Sequence, residues 1–307
     1  MVAGCEEVHG ESVIVDWISI EVENPGLSIR SVRRLGEGWN SRVFLVNDEL
    51  VFRFPKRREN WEELNREIAF LGSAAPDLPL AVPRYRSVAP DSTAAPHGYA
   101  VYQYLPGHAL DLKVLNSEKR ATAAADIARF LKALHTLQPS GDLASRLPRE
   151  DERTVAEEYL SRAAHEIIPK LPFLEGTALR RELEMRLRTP GNFSFRPVVL
   201  HADLSCDHIL VEDDVVVAVL DFGDVNWGDP DYDFMYLSLD FGPGFAQEVG
   251  RKYGHEDLEL LGRKLQYFSI VDQIGTILDG AGRALEGQQE AAWHRLRQLL
   301  PTGESDR

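Results

Sequence analysis

The residue types able to do chemistry concentrate between positions 200 and 224. Leu200-His201-Ala202-Asp203-Leu204-Ser205-Cys206-Asp207-His208 leads into an apolar run, 209–211, and an acidic turn of Glu212, Asp213 and Asp214. A second apolar run, 215–220, then ends in Asp221-Phe222-Gly223-Asp224. Two apolar runs around a short polar turn fold back as a hairpin, which returns Asp221 to the neighbourhood of His208. Asp203, His208 and Asp221 are therefore expected to converge, although far apart along the chain. Carboxylates crowded together raise one another's pKa unless a cation sits among them. A divalent ion among them, with Asp203 left free as a base, is the simplest resolution. Singly, each residue has an ordinary explanation: an Asp after an apolar strand is usually a solvated turn residue, and a lone His a half-buried one. In combination at this spacing they point to phosphoryl transfer.

The elements that must position these groups follow from pattern. Residues 12–20 and 27–35 read as strands, followed by the turn Gly36-Glu37-Gly38. Apolar runs at 43–46 and 50–54 flank the polar Asn47-Asp48-Glu49, giving an antiparallel meander. Asn60 and Glu63 have the spacing of a capping box for a helix with the stripe Trp61, Leu64, Ile68 and Leu71. Further strands are expected near 82–88 and 99–105. From Ser117, read as a cap, the pattern turns helical, with Ala124, Ile127, Leu131 and Leu134 on one face. Amphipathic stretches follow at 151–171 and 177–187, and a β segment interrupts at 198–221. Asp229 as cap with Pro230 at the first helical position opens the last helical region. The expected class is α+β, with residues 1–105 a small antiparallel β lobe carrying one helix. Residues 106–307 form a larger, mainly helical lobe, with a hinge at about 102–107.

His201-x-Asp203 with His208 and Asp221-Phe222-Gly223 resembles the catalytic and metal loops of protein kinases and, more closely, of aminoglycoside phosphotransferases. With Gly228-Asp-Pro-Asp-Tyr-Asp-Phe234 added, the string is most similar to the 2''-type enzymes, in which a histidine takes the place of the kinase asparagine. The resemblance runs from about Gly36 to Phe234 and implies a bilobal protein-kinase-like fold. It implies that Asp203 orients the acceptor hydroxyl and takes its proton. His208 and Asp221 would hold Mg²⁺, with Mn²⁺ tolerated by the imidazole, and Asp233 would brace the catalytic loop. Gly36, Gly38, Asn40 and Ser41 stand where a loop covers the phosphates, without the third glycine of the kinase pattern. Arg53, rather than Lys56 beyond Pro55, takes the place of the phosphate-binding lysine, with Glu67 as its partner. The main chain of Gln103 and Leu105 would meet the purine edge, which leaves ATP and GTP both open as donor. Asp224 and Asp240 are the substrate contacts implied for a polycationic drug, with Glu248 and Asp272 as further candidates.

Composition limits the partners. Lys and Arg number 34 against 49 Asp and Glu, a net charge of −15, which argues against nucleic acid. Apolar residues are 44% of the chain and no run approaches the roughly 20 residues of a membrane helix. Two cysteines, Cys5 and Cys206, exclude a disulfide scaffold. A reduced, cytoplasmic monomer is expected. The implied activity is transfer of a nucleotide's γ-phosphoryl group to an aminoglycoside hydroxyl, conferring antibiotic resistance. A macrolide or amino sugar acceptor is the alternative, and a nucleotide-binding pseudoenzyme is supported only by Arg53. A protein kinase is disfavoured because 221–229 is too short for a peptide-docking activation loop.

Overall fold

The computed structural model describes residues 15–139, 141–279 and 287–300, so Cys5 and the first residues of the expected strand at 12–20 lie outside the described residues. In chain order the elements begin with α1 (Trp17–Glu23), β1 (Val32–Glu37), β2 (Ser41–Val46), β3 (Leu50–Pro55), α2 (Asn60–Ala74), β4 (Tyr85–Ala89), β5 (Tyr99–Gln103) and β6 (His108–Ala109). Helices α3 (Ser117–Thr136), α4 (Gly141–Arg146), α5 (Glu152–Arg162) and α6 (Phe173–Arg188) follow. Then come β7 (Val198–Leu200), β8 (Ile209–Glu212), β9 (Val215–Val219) and β10 (Asn226–Gly228). The last elements are α7 (Met235–Phe241), α8 (Pro243–Tyr253), α9 (Leu258–Asp279) and α10 (Gln288–Leu299). The α+β class expected from the sequence is the class observed. Among the described residues no helix is long and apolar enough to cross a membrane.

The chain divides into two compact units: 1–109, 139–146 and 208–225 in one, and 110–138, 147–207 and 226–307 in the other. The first is built on an antiparallel sheet in the order β1-β2-β3-β5-β4. One face buries Phe52, Phe54, Tyr99 and Val101 with Ile20 of α1 and Trp17 packed against them. The other face carries Leu45, Val51 and Tyr102, with Tyr85 and Tyr104 alongside. Alternation along β3 separates the faces, so Val51 and Arg53 share the second one. The β4–β5 connection needs glycine at 98: its φ is +73° and a Cβ there would sit 2.3 Å from the Ala89 carbonyl oxygen.

Three local expectations are corrected. Residues 17–20 are helical, because the Asp16 carboxylate accepts the Ile18 and Ser19 amides as an N-cap. Trp17 and Ile20, three apart, then share the buried side of that turn. In α2, Asn60 and Glu63 do not form a capping box. The Asn60 side chain accepts from the Arg57 amide and donates to Asn40 Oδ1 at 2.9 Å, while Glu63 accepts from Asn40 Nδ2. Tertiary partners outcompete the local cap. In α3 the cap is Asn116, one residue before the expected Ser117, its side chain accepting from the Lys119 amide.

The hairpin appears as expected, with a shorter turn. Glu212 pairs with Val215, so only Asp213 and Asp214 make the loop, both left-handed at φ 51° and 63°. That is the geometry of the tight turn matching strand twist. In the helical unit, β7 and β10 pair antiparallel, α3 packs on α8, and α9 on α10. Ala124, Ile127, Leu131 and Leu134 all lie on the buried face of α3, each buried Leu or Ile contributing about 1.5–3 kcal/mol. Asp229 caps as expected, accepting from the Asp231 amide, and the turn it opens, Pro230–Phe234, is a 3₁₀ segment leading into α7.

Candidate active site

The sheet unit presents its charges at one end of β3. Arg53 Nη1 donates to Glu67 Oε2 at 2.6 Å and to the Tyr85 hydroxyl at 3.2 Å, and the Tyr85 hydroxyl donates to Glu67 Oε1 at 2.9 Å. The other end of the fork, Nη2, lies 3.3 Å from Asp221 Oδ1. Glu67 is fully buried on α2; burial raises its carboxyl above the ordinary value against the opposing pull of Arg53. The expected Arg53–Glu67 partnership is thus formed, and Lys56 is engaged elsewhere, 2.7 Å from Glu37.

The hairpin supplies the second group of this unit. The Leu220 amide donates to the His208 carbonyl at 2.9 Å, closing the ribbon and bringing His208 Nε2 to 3.8 Å from Asp221 Oδ2. Asp221 is left-handed at φ 60°, a conformation costly for an L-residue and concentrated at functional positions. Phe222 is buried against Phe70 of α2, ring centroids 5.8 Å apart. The Gly223 carbonyl accepts from Arg66 at 3.0 Å. Asp224 has its carboxyl raised, first by desolvation and then by Asp221, with Arg66 and His208 opposing. Among the described residues no group of three or more His, Cys, Asp or Glu side chains encloses an ion. An imidazole and a carboxylate close together, with the remaining shell left to phosphate oxygens and water, nevertheless fit Mg²⁺ bound with a nucleotide.

The glycine turn is fixed at its base. The Gly38 amide donates to the Ser41 carbonyl at 3.0 Å, and the Lys56 amide to the Asn40 carbonyl at 2.9 Å. Gly36 and Gly38 are exposed, and Ser41 is buried. Asn40 is tied to α2 through Asn60 and Glu63. At the end of β5, Gln103 Nε2 and the Tyr104 amide both donate to the Glu49 carbonyl, at 3.0 and 2.7 Å, and Leu105 follows, half-buried.

In the helical unit the loop bearing Asp203 hangs on Asp233. Both carboxylate oxygens accept main-chain donors, the amides of His201 at 2.9 Å and Ala202 at 2.7 Å. His135 Nε2 lies 3.0 Å from Asp233 Oδ2, and His135 Nδ1 lies 3.0 Å from the Tyr253 hydroxyl. Ala202, just before Asp203, is left-handed at φ 66°. The Asp203 amide donates to His201 Nδ1 at 3.2 Å, and its carbonyl accepts from the Ser205 amide. Asp240 accepts from the Cys206 amide at 2.7 Å and lies on the wall of a cavity of about 490 Å³ with Arg295, Gln247 and Gln298. The Cys206 thiol is pushed up to about 12, first by burial and then by Asp240 and Asp207, so it stays protonated and is no nucleophile. Asp272 accepts from the Tyr236 hydroxyl at 2.9 Å.

Sequence reasoning did not find Tyr85, Arg66, His135 or Tyr253. His135 ends a readable helix face, but its partner Asp233 is 98 residues away, and no local pattern carries that pairing.

A basic side chain ion-paired on an antiparallel sheet, a hairpin ending in His and Asp-Phe-Gly, and a main-chain-braced His-x-Asp loop on a helical unit together define the kinase-like phosphotransferase class. Residues 31–264 match the phosphotransferase enzyme family, and the chain belongs to it. It is similar to solved structures of aminoglycoside enzymes. One is the GDP and kanamycin complex of APH(2")-IIia, 27% identical, covering 92% of this chain and 97% of that one, with a TM-score of 0.85. Another is the GDP complex of wild-type aminoglycoside 2'-phosphotransferase-IIIa, 26% identical over 92% and 96%, TM-score 0.86. The fold is also shared with the apoenzyme of macrolide 2'-phosphotransferase MphH from Brachybacterium faecium, 22% identical over 92% and 97%, TM-score 0.71. The chain is accordingly a phosphotransferase.

Proposed function

We propose that this chain is an aminoglycoside O-phosphotransferase, transferring the γ-phosphoryl group of ATP or GTP to a drug hydroxyl. The observation that carries the reading is the His208–Asp221 pair, 3.8 Å apart at the closed base of the hairpin and beside the Arg53 fork. Nucleotide binding is assigned to segment 1–105 and the acceptor to 106–307. The ligands His208 and Asp221 are the part of the second segment that packs with the first. Gly36, Gly38, Asn40 and Ser41 cover the phosphates, Arg53 meets them with one end of its guanidinium, and the main chain of Gln103 and Leu105 receives the base. His208 and Asp221 would hold Mg²⁺, and the ion would supply charge neutralisation at the phosphate.

Asp203 accepts a hydrogen bond from the acceptor hydroxyl, orients it towards phosphorus, and takes its proton as the new P–O bond forms. The bond to the leaving diphosphate breaks in the same displacement. Most of the acceleration comes from positioning and charge, with a positioned base contributing about 10²–10⁴-fold. Likeness to proteins solved with an aminoglycoside supports this acceptor class, and Asp224 and Asp240 are each assigned to ammonium groups of the acceptor.

The test is a coupled assay of nucleoside triphosphate consumption over aminoglycosides, macrolides and sugars, with ATP and GTP in separate runs. Turnover is expected with aminoglycosides, and Asp203→Asn is expected to lower kcat about 10²–10⁴-fold while leaving nucleotide affinity intact. Turnover confined to macrolides would move the acceptor class, and near-normal turnover of Asp203→Asn would remove Asp203 from the chemistry.

A further inference from the structure

We infer that Tyr85 is a positioning residue for the nucleotide, fixing the plane of the Arg53 guanidinium so that Nη2 faces the phosphates. This rests on the reading that Arg53 meets those phosphates. The guanidinium is a planar fork whose two ends here have separate tasks. Nη1 is held by Glu67 Oε2 and the Tyr85 hydroxyl, and Nη2 points to Asp221. The Tyr85 hydroxyl donates in turn to Glu67 Oε1, closing a ring of three side chains. A single Arg–Glu hydrogen bond leaves rotation about its own axis free; a third member at a different angle removes that freedom. Arg53 Nε is buried with no hydrogen-bond partner, so the fork is not held from its stem; it is held at its ends, by the short contacts of the ring at Nη1 and by the longer 3.3 Å contact of Nη2 with Asp221. Burial keeps the Tyr85 phenol well above its ordinary value, and the hydroxyl retains the proton it donates.

The backbone places Tyr85 there by a specific irregularity. Tyr85 pairs with Tyr102 but Ser87 with Val101, so one extra residue is accommodated at Arg86. In a regular strand Tyr85 and Ala89 would share a face. The bulge puts Ala89 with the Phe52–Tyr99 core and Tyr85 on the opposite face, with Tyr102 and Val51, where Arg53 projects. Re-aiming one side chain is what such bulges do next to functional sites.

The experiment is a double-mutant cycle read by calorimetric titration with Mg-ADP and Mg-GDP, with melting temperature recorded for every variant. Tyr85→Phe removes only the hydroxyl and is expected to weaken nucleotide binding about 3–10-fold, the span of one hydrogen bond, without lowering the melting temperature by more than a few degrees. In an Arg53→Lys background the ammonium has no plane to set, and Tyr85→Phe is expected to change affinity less than about 2-fold. Equal losses in both backgrounds, or unchanged affinity on Tyr85→Phe alone, would overturn the positioning role. Arg53→Ala separates the premise: unchanged affinity there would remove Arg53 from the phosphates and take the inference with it. A large loss there with none on Tyr85→Phe would overturn the inference alone.

Discussion

Buried charge in the helical unit gathers around Lys264, which lies between Asp229 and Asp231. Asp231 accepts from His255 Nε2 at 2.8 Å and Lys264 Nζ at 2.7 Å, and Lys264 also reaches Asp229. Burial alone would push Asp231 up, but His255 and Lys264 outweigh it and hold the carboxyl below its ordinary value. The hydrogen bond to Asp231 raises His255 against its own burial. These shifts act on stability in opposite pH ranges. A raised imidazole contributes fully below its unfolded pKa and loses that contribution as pH climbs through the folded value. A depressed carboxylate contributes above its unfolded pKa and loses it as pH falls through the folded one. Both contributions are present together between about pH 4 and about pH 6.5. The melting temperature is therefore expected to fall as pH rises from 6 to 8, and His255→Gln to flatten that slope. Parallel slopes in scanning calorimetry would show that His255 titrates without coupling to folding.

At the level of elements, the hairpin β8–β9 carries two of the groups assigned to the reaction, and its turn is the least comfortable part of it. Asp213 and Asp214 both occupy the left-handed region, where glycine carries no steric penalty. Asp214→Gly is expected to stabilise the protein by about 0.5–1 kcal/mol, seen as a melting point higher by one to three degrees with kcat unchanged; a lower melting point would mean the Asp214 side chain makes a contact that outweighs the strain. This hairpin was readable because two apolar runs and a cluster of acids are local signals, and so were the β2–β3 turn and the buried stripe of α3. What was not readable depended on distant partners. Residues 17–20 look strand-like because Ile18, Ile20 and Val22 alternate, yet Ile18 and Val22 are 76% and 77% exposed while Ile20 is buried, as on opposite faces of a short helix. Asn60 and Glu63 carry a real capping spacing, but their side chains are spent on Asn40. The bulge at Arg86 has no signature in a sequence of five β-compatible residues, so no local pattern marks Tyr85. Asp240, singled out for substrate, has its Oδ2 on the Cys206 amide, a contact between positions 34 apart that no periodicity announces.

For the whole molecule, the quantity that bears on function is a net charge of −15. An excess of that size creates a long-range field that raises the local concentration of cations and repels anions. An aminoglycoside, with several ammonium groups, gains from it in proportion to its charge; a macrolide with one amine gains little. The nucleotide gains nothing and must rely on groups at short range, which is the part assigned to Arg53 and to a divalent ion. Screening distinguishes the two kinds of attraction, because the Debye length falls from about 10 Å at 0.1 M salt to about 3 Å at 1 M. With saturating nucleotide, raising salt from 0.05 to 0.5 M is expected to raise the aminoglycoside KM about 3–10-fold, with kcat nearly constant. A macrolide, if turned over at all, should shift by less than about 2-fold under the same change. An aminoglycoside KM indifferent to salt would mean that recognition rests on close hydrogen bonds alone, and that the acidic excess of this chain does nothing to gather its substrate.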